Sequence, residues 1–463
     1  MPTLYLGVAL LLVTTAYFLA HRRAVAVAGG RVRDLHSRPV YHALLAASVA
    51  AIPLLLVFFV GSGFIERWAL SRALAVFPAD LIADTFRASA LVRDIQNVAA
   101  GRHAGEVAPL VQNAADILAA SRSTGRWIAA ALGIALALAG AFLAMRAISP
   151  KFRARSWFER LVGIVLALCA LVAVLTTIGI VLSVLFESYR FFFDSSLKGR
   201  PTVSQFLFGT EWNPQAAIRA DQGDIQTAFG FVPLLVGTLL ITVIAILVAG
   251  PLGLLSAIYL SEYAGPGVRA WAKPVLEILA GIPTVVLGFF AALTVAPMIR
   301  GSGEYFGLDV ASESALAAGL VMGMMIVPFI SSLADDVINA VPQSLRDGAA
   351  ALGATKSETI RQVVLPAALP GIVSAFMLAI SRAIGETMIV VMAAGLAANL
   401  TVNPLDAVTT ITVQIKTILV GDQEFDSAKT LAAFALGLVL FFVTLMLNLI
   451  AQFVSRRFRE QYD

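Results

Sequence analysis

Repeated apolar runs, each long enough to cross a hydrocarbon layer, constrain this chain more than any single motif does. A layer of about 30 Å takes roughly 20 helical residues. Such runs occur near 3–20, 41–60, 127–145, 161–186, 231–260, 273–296, 313–335, 371–394 and 430–453, which predicts nine crossings. With 59% hydrophobic and 13% charged residues in 463, a soluble domain could not hide so much apolar surface in one core. The richness of the runs in Ala, Leu, Val and Gly suits packed helices better than barrel strands. The expected class is therefore an all-α integral membrane protein.

Arginine and lysine placement orients the spans. Arg22, Arg23, Arg31, Arg33 and Arg38 mark one side; Arg146, Lys151, Arg153, Arg155 and Arg160 return to it two crossings later; Arg456, Arg457 and Arg459 close the chain on it. An even number of spans between clusters keeps all three on one face, which puts the N-terminus outside and the C-terminus inside. The run from Thr3 to Ala20 has its arginines after it, not before it, and reads as a retained span and not a cleaved signal. Net charge is only +4 and the basic residues sit in short clusters beside apolar runs, so a nucleic-acid surface is a poor explanation for them. Cys169 is the sole cysteine, and His21, His36, His42 and His103 lack metal-ligand spacing, so neither a disulfide framework nor a metal site is expected.

The basic linker from 146 to 160 divides the chain into residues 1–150, with about three spans, and residues 151–463, with six. Within the first part, residues 62–126 have near-balanced charge and helical periodicity in stretches such as Asp80 to Ala99, which predicts a small helical unit outside the membrane. A second outside segment, about 187–229, carries Tyr189, Phe191, Phe192 and Phe193 around Arg190 and a polar stretch from Asp221 to Asp224, and says little by itself.

Residues 336–370 leave the membrane on the inside, a long excursion for a simple connection. Pro342, Gln343 and Ser344 offer a helix start, Gly353 a break, Thr355 or Ser357 a second cap, and Pro366 and Pro370 a stop. A helix-Gly-helix hairpin of this kind can act as a rigid peg. Asp347-Gly348-Ala349, three residues, Gly353, nine residues, then Val363-Val364-Leu365-Pro366 resembles the EAA loop of binding-protein-dependent ABC importers. Asp347, Gly348 and Val363 depart from the usual Glu, Ala and Ile of that motif. The resemblance implies that Asp347, Gly348, Ala349, Gly353, Val363, Leu365 and Pro366 form coupling helices that dock on an ATPase subunit. The chain itself holds no G-x-x-x-x-G-K-[ST] phosphate loop, so no ATP cofactor is expected in it; ATP would be bound by partner subunits, and the chain would be the translocation subunit and not an enzyme.

The run 371–394 places Ser381-Arg382-Ala383-Ile384-Gly385-Glu386-Thr387 at its middle, where an unpaired charge costs about 3 kcal/mol or more. Arg382 and Glu386 are four apart, so a continuous helix would pair them on one face, with Gly385 leaving room for a close neighbour. A guanidinium offers the planar fork that a tetrahedral oxyanion needs, and the carboxylate would orient it and temper its grip. The alternative is a buried salt bridge that only fixes packing. Pro283, in another apolar run, is expected to kink its helix beside the pathway, or simply to kink it; Asp335 and Asp336 read as solvated groups at the end of a span.

Gly385-Glu386-Thr387-Met388, Ala257-Ile258-Tyr259-Leu260-Ser261-Glu262-Tyr263, Gly281-Ile282-Pro283-Thr284-Val285-Val286 and Met324-Met325-Ile326-Val327-Pro328 together resemble phosphate ABC permeases of the PstC type, with Thr284 where Ser is more familiar. The likeness covers about residues 160–460, and residues 1–150 resemble the extended form of the same subunit. It implies a six-span importer core and a substrate pathway that includes Arg382, Glu386, Thr387, Pro283 and Thr284. It also implies a multi-pass inner-membrane location among membrane lipid. The implied partners are a second, PstA-like permease, two ATP-binding subunits and a periplasmic phosphate-binding protein. Two alternatives stay open: another oxyanion such as sulfate or molybdate as cargo, and a membrane sensor or scaffold that reports anion supply.

Overall fold

The computed structural model describes residues 2–29, 35–78, 85–102, 107–195, 197, 200–214, 229–420 and 427–457. Among them nine helices are long and apolar enough to cross a membrane: Thr3–Val27, Pro39–Leu74, Pro109–Arg146, Ala154–Phe193, Val232–Tyr263, Thr284–Tyr305, Ala315–Asn339, Lys356–Ile384 and Ala428–Val454. The chain is a multi-pass, all-helical membrane protein. The polar stretch Asp221–Asp224 and the basic residues Arg31, Arg33 and Arg459 lie outside the described residues.

Two compact units divide the chain, Met1–Leu175 and Thr176–Asp463. In the first, α1 (Pro2–Val27), α2 (Pro39–Leu74) and α4 (Pro109–Arg146) pack through alanines: Ala16, Ala50, Ala137 and Ala141 form one buried cluster, and Ala20, Ala24 and Ala46 another. Small side chains let helix backbones approach closely without the driving force that water would supply. At 36 and 38 residues, α2 and α4 reach about 55 Å, well past one hydrocarbon layer. Of the helical unit expected at 62–126, the described residues lie in the ends of α2 and α4 and in α3 (Thr85–Ala99), whose Ile95 is sealed against Ala69, Ala73, Ala115 and Leu118; residues 79–84 and 103–106 lie outside the described residues.

Helix α5 (Ala154–Phe193) passes into the second unit, where Phe191 meets Phe206 and Phe229 edge-on, anchoring the short α6 (Val203–Phe208). Of the aromatic cluster that said little in the sequence, Phe191 is thus buried in a packing core with Phe192 half-buried against it, whereas Tyr189 and Phe193 are exposed. The second unit is centred on α7 (Val232–Ile258) against α11 (Ala315–Asn339). A Cβ on Gly319 would lie 2.5 Å from Ile244 Cγ2, so that crossing tolerates hydrogen alone.

Three corrections to the expected elements follow. The sixth span does not begin at 273: residues up to Ala280 belong to α8 (Pro266–Ala280), an amphipathic helix with no buried residue, and the span starts at Thr284 with α9 (Thr284–Phe290), a π-turn at Ala291–Val295 and α10 (Ala296–Tyr305). Pro283 accordingly does not kink a helix; it caps the start of one, where its missing N–H is no loss. Nor do Pro366 and Pro370 stop the second hairpin helix. After α12 (Gln343–Ala351), α13 (Lys356–Thr359) runs through a π-turn at Ile360–Val364 straight into α14 (Leu365–Ile384). The widened turn comes just before Pro366, the residue that cannot donate to a regular ladder, as the π-turn at Ala291–Val295 comes just before Pro297. After α14 come α15 (Met388–Ala393), α16 (Ile411–Leu419) and α17 (Ala428–Arg457).

Candidate functional site

Arg382 stands in the last turn of α14 and not at the middle of a span, because the helix ends two residues later. The end is built locally. Gly385 N–H donates to Ser381 O at 3.3 Å and Glu386 N–H to Ala383 O at 3.1 Å, closing the final turn. The Glu386 carboxylate then accepts from the backbone N–H groups of Met388 (2.9 Å) and Ile389 (3.3 Å), filling the open donors of α15. The expected Arg382–Glu386 pair is therefore absent: four residues of spacing make a face only along an unbroken helix, and this carboxylate is spent on backbone. Thr412 Oγ1 holds the same bend by donating to Glu386 O at 2.8 Å. Thr387, at the bend, is half-buried.

Without a carboxylate beside it among the described residues, Arg382 keeps its full charge. Its guanidinium carbon lies 5.9 Å from the centroid of Phe329 on α11, within range of a cation–π contact, and the side chain is otherwise exposed in this single chain. The cation also complements the carbonyl end of α14. Pro283 and Thr284 open α9. α9 packs on α15 so closely that a Cβ on Gly288, one turn beyond Thr284, would lie 3.1 Å from Met388 O.

The hairpin residues form a separate group, at the other end of the α14 stretch, about 24 Å away along the helix. Ala349 is the one buried residue of α12; Asp347 and Gly348 are exposed, Asp347 accepting from Gln343 Nε2 at 3.0 Å. Gly353 breaks the pair with φ of +86°, a conformation that side chains with a Cβ resist. Thr355, not Ser357, caps the second helix in a reciprocal box with Glu358. Val363 lies in the π-turn, and Leu365 and Pro366 open α14, so these three belong to the base of a long helix.

Charges missed in the sequence gather behind this hairpin. Asp335 is not solvated: its side chain is 3% exposed and accepts from Arg269 and Lys273 on α8, each at 3.0 Å, and from Asn339 at 2.8 Å. Asp336 shares Lys273 at 3.3 Å. The hydrogen bond to Asp335 holds the Lys273 ammonium above the ordinary lysine range, against a smaller lowering by burial. Arg346, next to the motif, reaches Glu262 at 2.9 Å in the π-turn that ends α7 (Tyr259–Tyr263). These partners stand 62 to 84 residues apart, so no local pattern announces them.

Two family models match the chain. One, described as a phosphate ATP-binding cassette transporter, covers residues 6–176; the other, described as a binding-protein-dependent transport system inner membrane component, covers residues 249–460. A probable ABC transporter permease protein, YqgH of Bacillus subtilis, is 31% identical over 62% of this chain and 88% of its own length. The phosphate transport system permease protein PstC 1 of Mycobacterium bovis is 33% identical over 54% of this chain and 81% of its own length. PstC of Mesorhizobium japonicum is 32% identical over 54% of this chain and 78% of its own length. With the hairpin, the broken helices and this likeness across the second unit, the chain belongs to the PstC-type permeases of binding-protein-dependent transport systems.

Proposed function

We propose that the chain is the transmembrane permease subunit of an ATP-driven importer of inorganic phosphate. The observation that carries the cargo class is Arg382, an arginine held at a helix break with no carboxylate beside it among the described residues and open on the side away from Phe329. A planar fork of N–H donors suits a tetrahedral oxyanion. Contact with a single such group is strong enough to attract the ion and weak enough to release it. Thr387, Pro283 and Thr284 line the same pathway, and Glu386 serves it by fixing the bend that presents the arginine, not by pairing with it.

Energy comes from outside the chain. One of two ATP-binding subunits docks on the hairpin, a second PstA-like permease completes the pathway, and a periplasmic binding protein delivers phosphate; transport follows alternating access. The hairpin and the basic loops face the cytoplasm, which leaves the N-terminus outside and the C-terminus inside the inner membrane. Residues 151–463 form the permease core and residues 1–150 an extension to it.

The experiment is phosphate uptake by cells carrying Arg382→Ala. Uptake is expected to be lost while the permease still co-purifies with its ATPase. Normal uptake would remove Arg382 from the pathway, and uptake of sulfate or molybdate in preference to phosphate by the unaltered transporter would change the cargo.

A further inference from the structure

The first helix of the hairpin is tied to the spans by both packing and charge. α12 buries Ala349 and packs Leu345 against the cluster of Ile338, Val341 and Val364, while Leu352 at its end is 91% exposed. Arg346 adds a polar joint to this packing. Its Nε and Nη2 donate to Glu262 Oε1 at 3.2 and 2.9 Å, Nη2 also donates to Ile338 O at 2.8 Å, and Nη1 donates to Val341 O. Both charged side chains are nearly covered, at 15% and 10% exposure, where such contacts are least screened. One guanidinium therefore joins three elements: α12, the π-turn that ends α7, and the last turn of α11 with the residues after it. A cavity of about 540 Å³ lies beside the joint, lined by Ser261, Glu262, Asn339, Arg346 and Lys356, so α12 would have space to tilt were the joint released.

We propose that Arg346 is a positioning residue that makes α12 and the end of α7 move as one lever, with Glu262 as its anchor. This rests on the reading of the hairpin as the ATPase contact. A planar fork on α12 with four bonds to two other elements resists rotation of α12 in a way that a single point contact does not. A push delivered at Leu352 is then passed to α7 and, through the α7–α11 packing, to the core that carries Phe329 and Arg382.

The test uses the full chain assembled with its companion subunits, with Arg346→Met and, as a second and milder variant, Glu262→Gln. A role in folding alone would lower ATP hydrolysis and phosphate uptake together and leave their ratio unchanged. The lever predicts that assembled transporter keeps hydrolysing ATP while the ATP spent per phosphate rises about tenfold in Arg346→Met and less in Glu262→Gln. Spin labels at Leu352→Cys and Leu255→Cys, with the exposed Cys169 replaced by Ser, give a second reading that needs no cargo. Their separation is expected to stay narrow and unchanged by ATP in the parent and to broaden in both variants. A wild-type ratio and a wild-type separation in Arg346→Met would overturn the proposal. A parent transporter that moves no phosphate would instead sink the cargo assignment, with the label separation still deciding on the lever.

Discussion

At the scale of single residues, the chain uses its charges near helix ends in two opposite ways. Arg382 is left without a carboxylate and rests on a ring, so its charge is available; Asp335 is surrounded by two cations and an amide, so its charge is consumed. The first arrangement predicts sensitivity to shape as well as charge. Arg382→Lys keeps a cation but loses the fork and the flat face, and phosphate uptake at limiting concentration should fall about tenfold, ~1.4 kcal/mol, compared with the parent. The second predicts a structural loss. Asp335→Ala strands Arg269 and Lys273, but each is a third exposed and can turn to water, so the cost should be near 1–2 kcal/mol and not the larger figure for a fully buried pair. A lower melting temperature in detergent, with faster tryptic cleavage in α8, would show it. Because Lys273 is held above the ordinary lysine range, its contribution is complete below the unfolded lysine value and fades only as pH rises through the folded one. Melting temperature should therefore be flat from neutral to mildly alkaline pH and fall in strong alkali, with the fall reduced in Lys273→Met.

At the scale of elements, what could be read from sequence was what is local, and what could not was what depends on distant partners. Nine apolar runs, the break at Gly353 and the cap at Thr355 each declare themselves within a few residues. The end of α14 did not, because Arg382 and Glu386 have ideal helical spacing and only the capture of Glu386 by the next helix shows that the spacing is unused. Hydropathy also hid the start of the sixth span, since the exposed apolar side of α8, with Trp271 and Ile278, averages into the true span after Pro283. The buried Gln414 on α16, which accepts from Trp212 at 2.9 Å across 202 residues, had no signal at all. The capping role yields a clean comparison. Glu386→Gln keeps an oxygen for the α15 donors, whereas Glu386→Ala opens them at about 1 kcal/mol. Melting temperature should separate the two if Glu386 holds the bend; equal losses would point to the negative charge itself.

At the scale of the molecule, the two compact units have separate interiors: the buried clusters of Met1–Leu175 and of Thr176–Asp463 are each built from their own residues. The match to the binding-protein-dependent transport component, residues 249–460, falls within the second unit, and Arg382, the hairpin and the Arg346 joint all lie there. Cutting within the basic linker, so that residues 1–150 go and α5 stays whole, should leave a core that inserts, joins its ATPase and carries phosphate. The extension would then bear on supply sensing or on docking of the binding protein, and its loss should alter the response of the cell to phosphate starvation, or the concentration of binding protein needed for half-maximal uptake, before it alters the maximal rate. Uptake measured across a range of phosphate concentrations, beside a reporter of starvation, reads both. Abolished uptake from a truncated chain that still assembles with its ATPase would make the first unit part of the transport machinery itself.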